Sequence, residues 1–468
     1  MPGTPVEPGL WSPQRRELTL GLVLTITLVA AEALAVPTAM PIVARDLGGL
    51  EIIGLVFSAF SVGSLLGIVV VGALIDREGV VRPFVGGLVL FGVGLTIGGL
   101  TPSMPVLIAA RFVQGIGGGA IPPVAYVAIG RALPPSLRPQ MFAMLSTAWV
   151  LPGVFGPAIA GFVAQELHWR LVFLGLLPLI ALPGAMATRA LIALHEAHPG
   201  VVTRAASVRR RALDGLVVAG GVALITAGLT SDQPALAAIL ALVGAAITLT
   251  WLARLTPPGT LRLARGYPTA VLLRGLLTLA FFSVDAYVSL LLQEVRGWSA
   301  TAAGVALTGA TVSWTIGSWV QARYSRRLRP EAFVQLGFPV VALGLAGLGL
   351  GLVESLPAEL VVPAFALAGF GMGLTYSQFA LIVLRDVSPV DQGRVTAGLT
   401  LADAIGTALG NGITAAIVAA AIRANLGPAP GIAGGIAIGT VLATVGALVA
   451  HRLHPRTGNA PVTDPSPA

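Results

Sequence analysis

The feature that most constrains this sequence is a series of apolar runs, each long enough to cross a lipid bilayer as a helix. A spanning helix needs about 20 mostly apolar residues, and such runs recur between short charge-bearing breaks along almost the whole chain. The runs lie at roughly 18–43, 52–75, 83–101, 105–130, 139–164, 169–189, 213–231, 235–253, 268–292, 299–322, 332–353, 357–384, 393–422 and 431–451. They predict an all-α polytopic membrane protein with about 14 transmembrane helices.

Composition narrows the classes of protein further. Only 10% of the residues are charged and 55% are apolar, whereas a soluble domain carries about 25% charged residues. The 28 basic residues are all arginine and are spread along the chain, so no nucleic-acid footprint is predicted. The missing lysine excludes the Gly-Lys-Ser/Thr loop of ATP-driven pumps. The missing cysteine excludes disulfides and thiolate metal sites, and the five histidines lie in loops or at helix ends, so we predict no metal site.

The arginines also predict the orientation of the helices. If the amino terminus is cytoplasmic, 22 arginines fall in cytoplasmic segments and 4 in outer segments. The positive-inside rule then places both termini in the cytoplasm, with the chain in the inner (cytoplasmic) membrane. A cleaved signal peptide is the alternative, because Arg15 and Arg16 precede an apolar run that contains the small-x-small sequence at 33–35. Cleavage there would leave 13 helices and break the arginine alternation.

An internal repeat divides the chain into two copies of one unit. The glycine-rich segments at 114–119 and 368–373 match at an offset of 254 residues, and 156–157 matches 410–411 at the same offset. Glu32 also falls within one residue of Asp285 at this offset. Two parallel six-helix repeats around a central site form a transporter architecture, and the seventh and eighth runs are predicted to be linker helices peripheral to the transport pathway.

The predicted organisation follows from the runs and the repeat. It comprises a cytoplasmic tail at 1–17, a six-helix bundle at 18–189, a basic cytoplasmic loop at 190–212, two linker helices at 213–253, a cytoplasmic loop at 254–267, a second six-helix bundle at 268–451 and a cytoplasmic tail at 452–468. The Pro-rich segment before Arg15 and the tail after Pro455 are predicted to be short disordered ends.

A sequence motif after the second run is the most specific signal in the chain. The segment Gly72-Ala-Leu-Ile-Asp76-Arg77-Glu-Gly79 resembles the loop signature G-x-L-a-D-R-x-G of the major facilitator superfamily. The resemblance implies a gate, in which Gly72 permits close helix contact while Asp76 and Arg77 hold the cytoplasmic side shut through charge-assisted bonds. The two basic residues that normally follow are valines here. A solvated charged turn is the alternative interpretation.

Two further motifs extend the resemblance. Arg111 and Gln114 lie in a segment similar to the superfamily's R-x-x-q-G pattern, whose arginine is associated with proton coupling. The segment 153–161 is similar to the antiporter motif g-x-x-x-G-P-x-x-G-G, with Ala160 replacing one glycine. Its motif residues are Gly153, Gly156, Pro157 and Gly161. Glycines allow close helix packing and proline bends a helix, so ordinary packing is the alternative to a role in export.

Together, the motifs and the helix count resemble the 14-helix drug:proton antiporter branch of that superfamily. The resemblance implies export of drugs, dyes and antibiotics, either hydrophobic or cationic, by proton antiport with alternating access. It further implies a monomer that uses the proton gradient and needs no cofactor. The first run lacks the L-D-x-T-x-x-N signature common in this branch, so the resemblance defines the substrate class less closely than the fold.

Charged residues inside the runs are the candidate proton-coupling groups, because an unpaired charge in a membrane is costly. They are Glu32, Arg111, Asp285 and Asp403. With a rise of about 1.5 Å per residue, Glu32 lies roughly 21 Å from the cytoplasmic end of its helix and Arg111 roughly 9 Å from the outer end of its own, so the two can pair. A purely structural ion pair is the alternative for Arg111, and a bond to a neighbouring hydroxyl is the alternative for Asp403. Arg274 is expected to snorkel to the cytoplasmic edge.

Aromatic and polar residues within the runs are candidates for the lining of a substrate cavity, although each could equally be a packing residue. They are Tyr126, Trp149, Phe282, Tyr287, Trp314, Tyr376, Gln378 and Asn411. The partners expected are a small-molecule substrate, protons and the lipid bilayer. Two other functions stay open: export of an endogenous lipid or metabolite on the same fold, and an intramembrane lipid-modifying enzyme. The enzyme would need a clustered Asp-rich or His-containing metal site, or a nucleophile with a base, and the sequence contains no such pattern.

Overall fold

The structure is a computed structural model that describes residues 9–13, 15–48, 53–197, 208–229, 231 and 233–454. Its regular elements in these ranges are helices, and thirteen of them are long and apolar enough to cross a membrane. The fourteen long helices are α1 (Arg16–Leu47), α2 (Ile53–Glu78), α3 (Val81–Leu100), α4 (Met104–Ala132), α5 (Arg138–His168), α6 (Arg170–Ala197), α7 (Val208–Leu229), α8 (Pro234–Leu255), α9 (Tyr267–Val295), α10 (Ala300–Tyr324), α11 (Pro330–Leu352), α12 (Ala358–Asp386), α13 (Gln392–Arg423) and α14 (Ala429–Leu453). The predicted all-α polytopic fold is confirmed.

The predicted number of membrane-spanning helices exceeds the number observed in the described part of the chain by one, and helix α10 accounts for the difference. It is long enough to span a bilayer, but it carries threonines, serines and glycines among its apolar residues and is absent from the thirteen apolar spans of the described ranges. It packs along α12 and against the start of α5. The count of fourteen spans therefore stays a prediction, with α10 as the helix in question.

The two halves of the chain repeat the same helix packing. In the first half α1 packs against α5 and α6, and α4 packs against α2 and α3. In the second half α9 packs against α13 and α14, and α12 packs against α10 and α11. The correspondence of these pairs supports the repeat inferred from the sequence, with α7 and α8 inserted between the copies.

The repeated glycines are the points where helix backbones approach most closely. A Cβ atom at Gly115 would meet the carbonyl oxygen of Phe60 on α2, and a Cβ at Gly369 would meet that of Ala310 on α10. Only glycine permits such an approach. The matched contacts one turn further are Gly119 with Ser64 and Gly373 with Trp314. The offset is 254 residues on α4 and α12 but 250 on their partner helices, so corresponding residues shift by about one turn between helices.

The inserted helices lie on one side of the boundary between the halves. Helix α7 packs against both α2 and α13, and α8 packs mainly against α7. Val69, Val218 and Leu401 belong to one buried apolar cluster at this boundary. The basic loop predicted at 190–212 is shorter than expected, because the chain is helical through Ala197 and again from Val208; residues 198–207 and Asp232 lie outside the described ranges. That α7 and α8 are peripheral to transport stays a prediction.

One face of the molecule holds the start of α1 and the end of α14, and we call it the terminal face. The arginine distribution predicts that it is cytoplasmic. The N–H of Gly266, before α9, donates to the carbonyl oxygen of Arg452 at 2.9 Å on this face. Leu10 is 1% exposed, and its carbonyl accepts a bond from the Thr19 hydroxyl at 3.2 Å. The expectation of a disordered tail is therefore wrong for residues 9–13, because Leu10 is buried against the bundle; residues 1–8 and 455–468 lie outside the described ranges.

Candidate functional site

A buried ion pair joins α1 to α4. Glu32 is 0% and Arg111 4% exposed, and Nη1 of Arg111 donates to Oε1 of Glu32. The same nitrogen donates to Oε1 of Gln114 at 2.6 Å, and the guanidinium lies 4.3 Å from the centre of the Phe60 ring. The predicted contact between Glu32 and Arg111 is confirmed. Each charge makes the other tolerable in a low-dielectric interior, so loss of either leaves an uncompensated buried charge.

This pair keeps unused hydrogen-bonding capacity. Oε2 of Glu32, Nε of Arg111 and Nε2 of Gln114 are buried and have no hydrogen-bond partner among the described residues. An unsatisfied buried polar group costs about 1–3 kcal/mol. Glu32 therefore has an oxygen free to take a proton, and Arg111 has a second acceptor, Gln114, if Glu32 loses its charge.

A second buried ion pair lies between α9 and α13. Arg274 is 1% exposed, and its Nε donates to Oδ1 of Asp403 at 3.0 Å. The hydroxyl of Tyr376 donates to Oδ2 of Asp403 at 3.0 Å. The expectation that Arg274 snorkels is wrong, because a carboxylate on the neighbouring helix holds its guanidinium inside. The alternative given for Asp403, a bond to a neighbouring hydroxyl, is observed in its contact with Tyr376, and its part in proton coupling stays a prediction.

Asp285 differs from the other candidate carboxylates. It lies on α9, and its carboxylate makes no ion pair or hydrogen bond with any residue that the structure describes. Phe365 corresponds to Arg111 at the offset of 254, and its ring stacks at 5.7 Å on Phe281. In the second half, two aromatic rings thus occupy the place of the Glu32 and Arg111 pair, and Asp285 lies one turn further along α9. The match of Asp285 to Glu32 is therefore approximate, because the repeat offset shifts between helices.

Aromatic candidates for the cavity gather in the second half. The ring of Phe281 lies 5.4 Å from that of Phe282 and 5.6 Å from that of Trp314, and Trp314 lies 5.2 Å from Tyr376. This row of rings leads from α9 through α10 to the Arg274 and Asp403 pair. We call these four residues the aromatic row.

The remaining cavity candidates lie in different surroundings. The hydroxyl of Tyr287 donates to the carbonyl oxygen of Asn411 at 2.9 Å, which joins α9 to α13. Tyr126 contacts Phe142 edge-on within the first half. Trp149 is 42% exposed at a break in α5. Gln378 is 1% exposed and donates to Gln321 on α10, within the second half.

The motif aspartate forms a contact between the two halves on the terminal face. Oδ1 of Asp76 accepts the backbone N–H of Gly393 at 2.8 Å, and Oδ2 accepts that of Arg394 at 2.9 Å. Gly393 and Arg394 lie in the first turn of α13, where N–H groups have no partner within the helix. A carboxylate there gains both charge-assisted bonds and the favourable helix dipole. Asp76 on α2 therefore clamps the start of α13.

The other motif residues, Gly72, Gly79 and Arg77, have different roles. A Cβ atom at Gly72 would lie 3.0 Å from the carbonyl oxygen of Gly393, so this glycine permits the close contact of α2 with α13, as predicted. Gly79 ends α2 with a φ of 79°, a conformation that favours glycine. Arg77 is more than half exposed and lies 3.8 Å from Glu78. In this conformation Arg77 is a solvated charge, and the clamp depends on Asp76.

A second contact between the halves, between α5 and α10, was not apparent from the sequence. The Ser318 hydroxyl donates to that of Ser146 at 3.0 Å, and the Trp319 indole N–H donates to the Thr147 hydroxyl at 2.9 Å. The pair α5 and α10 corresponds to α13 and α2 in the repeat. Uncharged side chains thus form the counterpart of the Asp76 clamp. Arg131 also donates to the carbonyl oxygen of Pro389 in the other half, at 3.3 Å. All of these hydrogen bonds lie near the terminal face. The two halves are therefore joined there, and the terminal face is closed.

The antiporter motif on α5 is packed less tightly than predicted. A Cβ atom at Gly153 would lie 3.6 Å from Thr311, and one at Gly156 would lie 3.8 Å from Leu34. At Gly161 the nearest atom would be 3.7 Å away. These are ordinary van der Waals separations, so close packing does not require glycine here in this conformation. The predicted part of Pro157 and these glycines in export stays a prediction.

One further charged cluster links α11 to α12 at the terminal face. Arg385 donates to Glu331 and to Asp386, each at 2.6 Å. Glu331 is 1% exposed, so this network ties two helices of the second half together. Within the described ranges no three His, Cys, Asp or Glu side chains gather as a metal site would require.

Comparison with known proteins relates this arrangement to transporters. The chain is 28% identical over 364 residues to a probable multidrug-efflux transporter of Mycobacterium tuberculosis strain H37Rv, covering 75% of this chain and 76% of that protein. It is 34% identical over 165 residues to multidrug resistance protein 3 of Bacillus subtilis, covering 35% of this chain and 32% of that protein. Multidrug export protein EmrB of Escherichia coli is 24% identical over 346 residues, covering 70% of this chain and 65% of that protein.

Solved structures share the fold at low identity. The human organic anion transporter MFSD10 superposes with a TM-score of 0.66 at 16% identity, covering 94% of this chain and 100% of that one. A bacterial homologue of the iron transporter ferroportin, in its outward-facing state, gives 0.66 at 13% identity, covering 94% and 98%. The family described as Major Facilitator Superfamily matches residues 21–411. The chain therefore belongs to the Major Facilitator Superfamily, and it is a membrane transporter rather than an enzyme.

Proposed function

We propose that this transporter exports hydrophobic or cationic small molecules in exchange for protons, driven by the proton gradient without another cofactor. It acts as a monomer in the inner membrane, with both termini and the terminal face in the cytoplasm. The observation that carries the proposal is the Glu32 and Arg111 pair, a fully buried carboxylate on a membrane helix with one cation beside it. The relatives named as multidrug-efflux transporters support the cargo class.

The pair offers a way to bind and release a proton. Glu32 is stable as a carboxylate only while Arg111 neutralises it, since a lone buried carboxylate favours its protonated form. Gln114 already accepts a bond from Arg111 at 2.6 Å, so the arginine keeps a partner when Glu32 is neutral. A conformational change that moves Arg111 toward Gln114 would therefore load Glu32 with a proton, and the reverse movement would release it.

The second half offers the contacts for cargo. Phe282, Trp314 and Tyr376 of the aromatic row are only partly buried, so their apolar surfaces suit hydrophobic molecules, and ring faces also attract organic cations. Asp285 has no internal partner among the described residues, so a cationic substrate or a proton would stabilise it. Substrate and proton then favour different charge states of the buried carboxylates, and each weakens the binding of the other reciprocally.

Alternating access requires the terminal face to open and close. The Asp76 clamp and the contact of α5 with α10 close it in this conformation. With the terminal face in the cytoplasm, this conformation would exchange protons and release cargo on the outer side. Capture of cargo would require both contacts between the halves to separate.

Gradient-driven transport in proteoliposomes tests the proposal. The panel contains a cationic dye, a neutral hydrophobic drug and a phospholipid, each assayed with and without an imposed pH gradient. Glu32→Gln should abolish uphill export of the dye while downhill movement of the neutral drug continues. Glu166→Gln is the matched control, because Glu166 is exposed on α5 and should transport normally. Uphill dye export by Glu32→Gln at normal expression would contradict the proposal, and transport of the phospholipid alone would favour a lipid exporter.

A further inference from the structure

A break in α12 is held by the buried arginine of the second half. Regular helix covers Val361–Thr375 and resumes at Gln378–Asp386, with a turn between them. Nη1 of Arg274 donates to the carbonyl oxygen of Tyr376 in this turn at 2.5 Å, and the guanidinium lies 3.1 Å from the centre of the Tyr376 ring. Arg274 thus fixes both the backbone and the side chain at the break.

Asp403 determines where Arg274 lies. Its carboxylate accepts from Nε of Arg274 at 3.0 Å and from the Tyr376 hydroxyl at 3.0 Å. The Thr278 hydroxyl donates to the Asp403 carbonyl oxygen at 3.1 Å, which fixes the backbone of α13 against α9. A neutral Asp403 would lose its charge-assisted bond to Arg274 and weaken the bond to Tyr376, so the break in α12 would lose its fixed position.

Gln378, where α12 becomes helical again, is linked to the other half of the molecule through Gln321. Nε2 of Gln378 donates to Oε1 of Gln321 on α10 at 2.5 Å. Nε2 of Gln321 donates in turn to the carbonyl oxygen of Pro139, at the start of α5, at 3.3 Å. Gln378 is 1% and Gln321 0% exposed. Buried amides are stable only while they are paired, so a displacement of Gln378 disturbs the bond to Pro139.

We infer that Gln378 and Gln321 are positioning residues that connect the Arg274 and Asp403 pair to the closure of the terminal face. The polar contacts run from Asp403 through Arg274 to the turn at Tyr376, then from Gln378 through Gln321 to Pro139. Neutralising Asp403 releases the turn, moves Gln378 and favours separation of α5 from α10. The inference rests on the proposed function only in treating the opening of the terminal face as a step of transport.

A double-mutant cycle on the opening equilibrium tests this connection. The chain has no cysteine, so spin labels at Arg82→Cys and Arg326→Cys, both exposed near the terminal face, report the distance between the halves. Electron–electron double resonance then gives the ratio of open to closed molecules in lipid nanodiscs without substrate or gradient. Asp403→Asn and Gln378→Leu are each measured alone and then together, because the cycle needs both single variants. Gln378→Leu removes the amide while keeping a similar volume.

The matched control lies in the same interface but outside the chain of contacts. Thr147→Val removes the acceptor of the Trp319 indole and touches neither Gln378 nor the turn in α12. We expect Asp403→Asn to raise the open ratio, and we expect Gln378→Leu to change the size of that effect by about 2- to 30-fold. Thr147→Val should leave the Asp403→Asn effect unchanged. Gln321→Leu should reproduce Gln378→Leu, which guards against a folding defect of one variant.

Two results would overturn the inference. One is an effect of Asp403→Asn on the open ratio that is the same in the unsubstituted background as in the Gln378→Leu and Gln321→Leu backgrounds. The other is an open ratio that Asp403→Asn does not change. Because the measurement uses neither substrate nor a proton gradient, failure of gradient-driven export would refute the proposed function while leaving a positive cycle intact.

Discussion

The geometry of the Asp76 clamp predicts how much Asp76→Asn should destabilise the closed state. Asp76 accepts two backbone N–H groups, at 2.8 and 2.9 Å, in the first turn of α13. In Asp76→Asn the amide keeps one oxygen, so one N–H retains an acceptor while the other faces an NH₂ group that cannot accept. The negative charge at the start of the helix is also lost.

The expected loss of free energy that favours the closed state is the sum of these two contributions. A hydrogen bond to a charged group contributes about 1.5–3 kcal/mol, and a charge at a helix terminus contributes about 0.3–1 kcal/mol. Because Asp76 is partly exposed, we take about 2–3 kcal/mol for the closed state, which corresponds to an open-to-closed ratio raised about 30- to 150-fold. Turnover should slow, while equilibrium binding of substrate changes little, because Asp76 lies at the terminal face away from the aromatic row.

The label pair at Arg82→Cys and Arg326→Cys measures this ratio. Arg77→Gln is the matched control, because Arg77 is adjacent but exposed, and among the described residues its ion pair is with Glu78, at 3.8 Å. An exposed pair of this kind contributes about 0–1 kcal/mol, so the control should change the ratio far less than Asp76→Asn. Equal opening by the two variants, or no opening by Asp76→Asn, would refute the assignment of the clamp to the carboxylate.

Four further predictions concern the helix contacts, the buried charges and the orientation of the chain. Gly393→Ala should weaken closure as strongly as Asp76→Asn, because its Cβ would lie 2.8 Å from the Gly72 carbonyl oxygen, whereas Gly156→Ala should close normally in the same spin-label assay. Arg111→Gln should lower the free energy of unfolding by about 3–5 kcal/mol through the buried charge left on Glu32, and Glu32→Gln in addition should recover part of it in denaturant titrations. Asp285→Asn should weaken binding of a cationic dye more than that of a neutral drug in equilibrium binding, and equal losses would contradict the cation contact. Reporter fusions after Arg211 and after Asp232 should report cytoplasm and exterior respectively, and the opposite result would reverse the terminal face.

Some of the site could be predicted from the sequence, because a charged side chain inside an apolar helix needs a partner and has few possible ones. Glu32 and Arg111 lie at similar depths in adjacent elements of one bundle, so their pairing followed from cost and geometry. The Gly72 and Asp76 motif likewise predicted a contact at the terminal face. Its partner, the start of α13, could not be predicted, because backbone N–H groups leave no signature in the sequence.

Arg274 shows where this reasoning fails. A snorkelling arginine and a buried one look alike in sequence, and the outcome depends on whether a carboxylate on another helix faces it. Asp403 does, and it holds the side chain inside. The place of Asp285 was only approximate for a related reason: the repeat offset differs between helices, which moves a residue by about one turn.

The contact of α5 with α10 could not be predicted for a different reason. It uses Ser, Thr, Trp and Gln side chains, which in a membrane helix are also ordinary packing residues. The sequence makes Gln378 a cavity candidate because it is a polar residue within an apolar run. Only the positions of Gln321 and Pro139 indicate that it faces the other half.

The central claim is the exchange of a proton for substrate, and proton movement driven by substrate alone tests it most directly. Vesicles containing the transporter, a cationic dye and a luminal pH indicator are diluted into dye-free buffer of equal pH, with membrane potential clamped by potassium and valinomycin. Dye leaving the vesicles should draw protons inward, so the lumen should acidify, and Glu32→Gln should remove the acidification. Dye efflux through the unsubstituted transporter without any change in luminal pH would contradict the account.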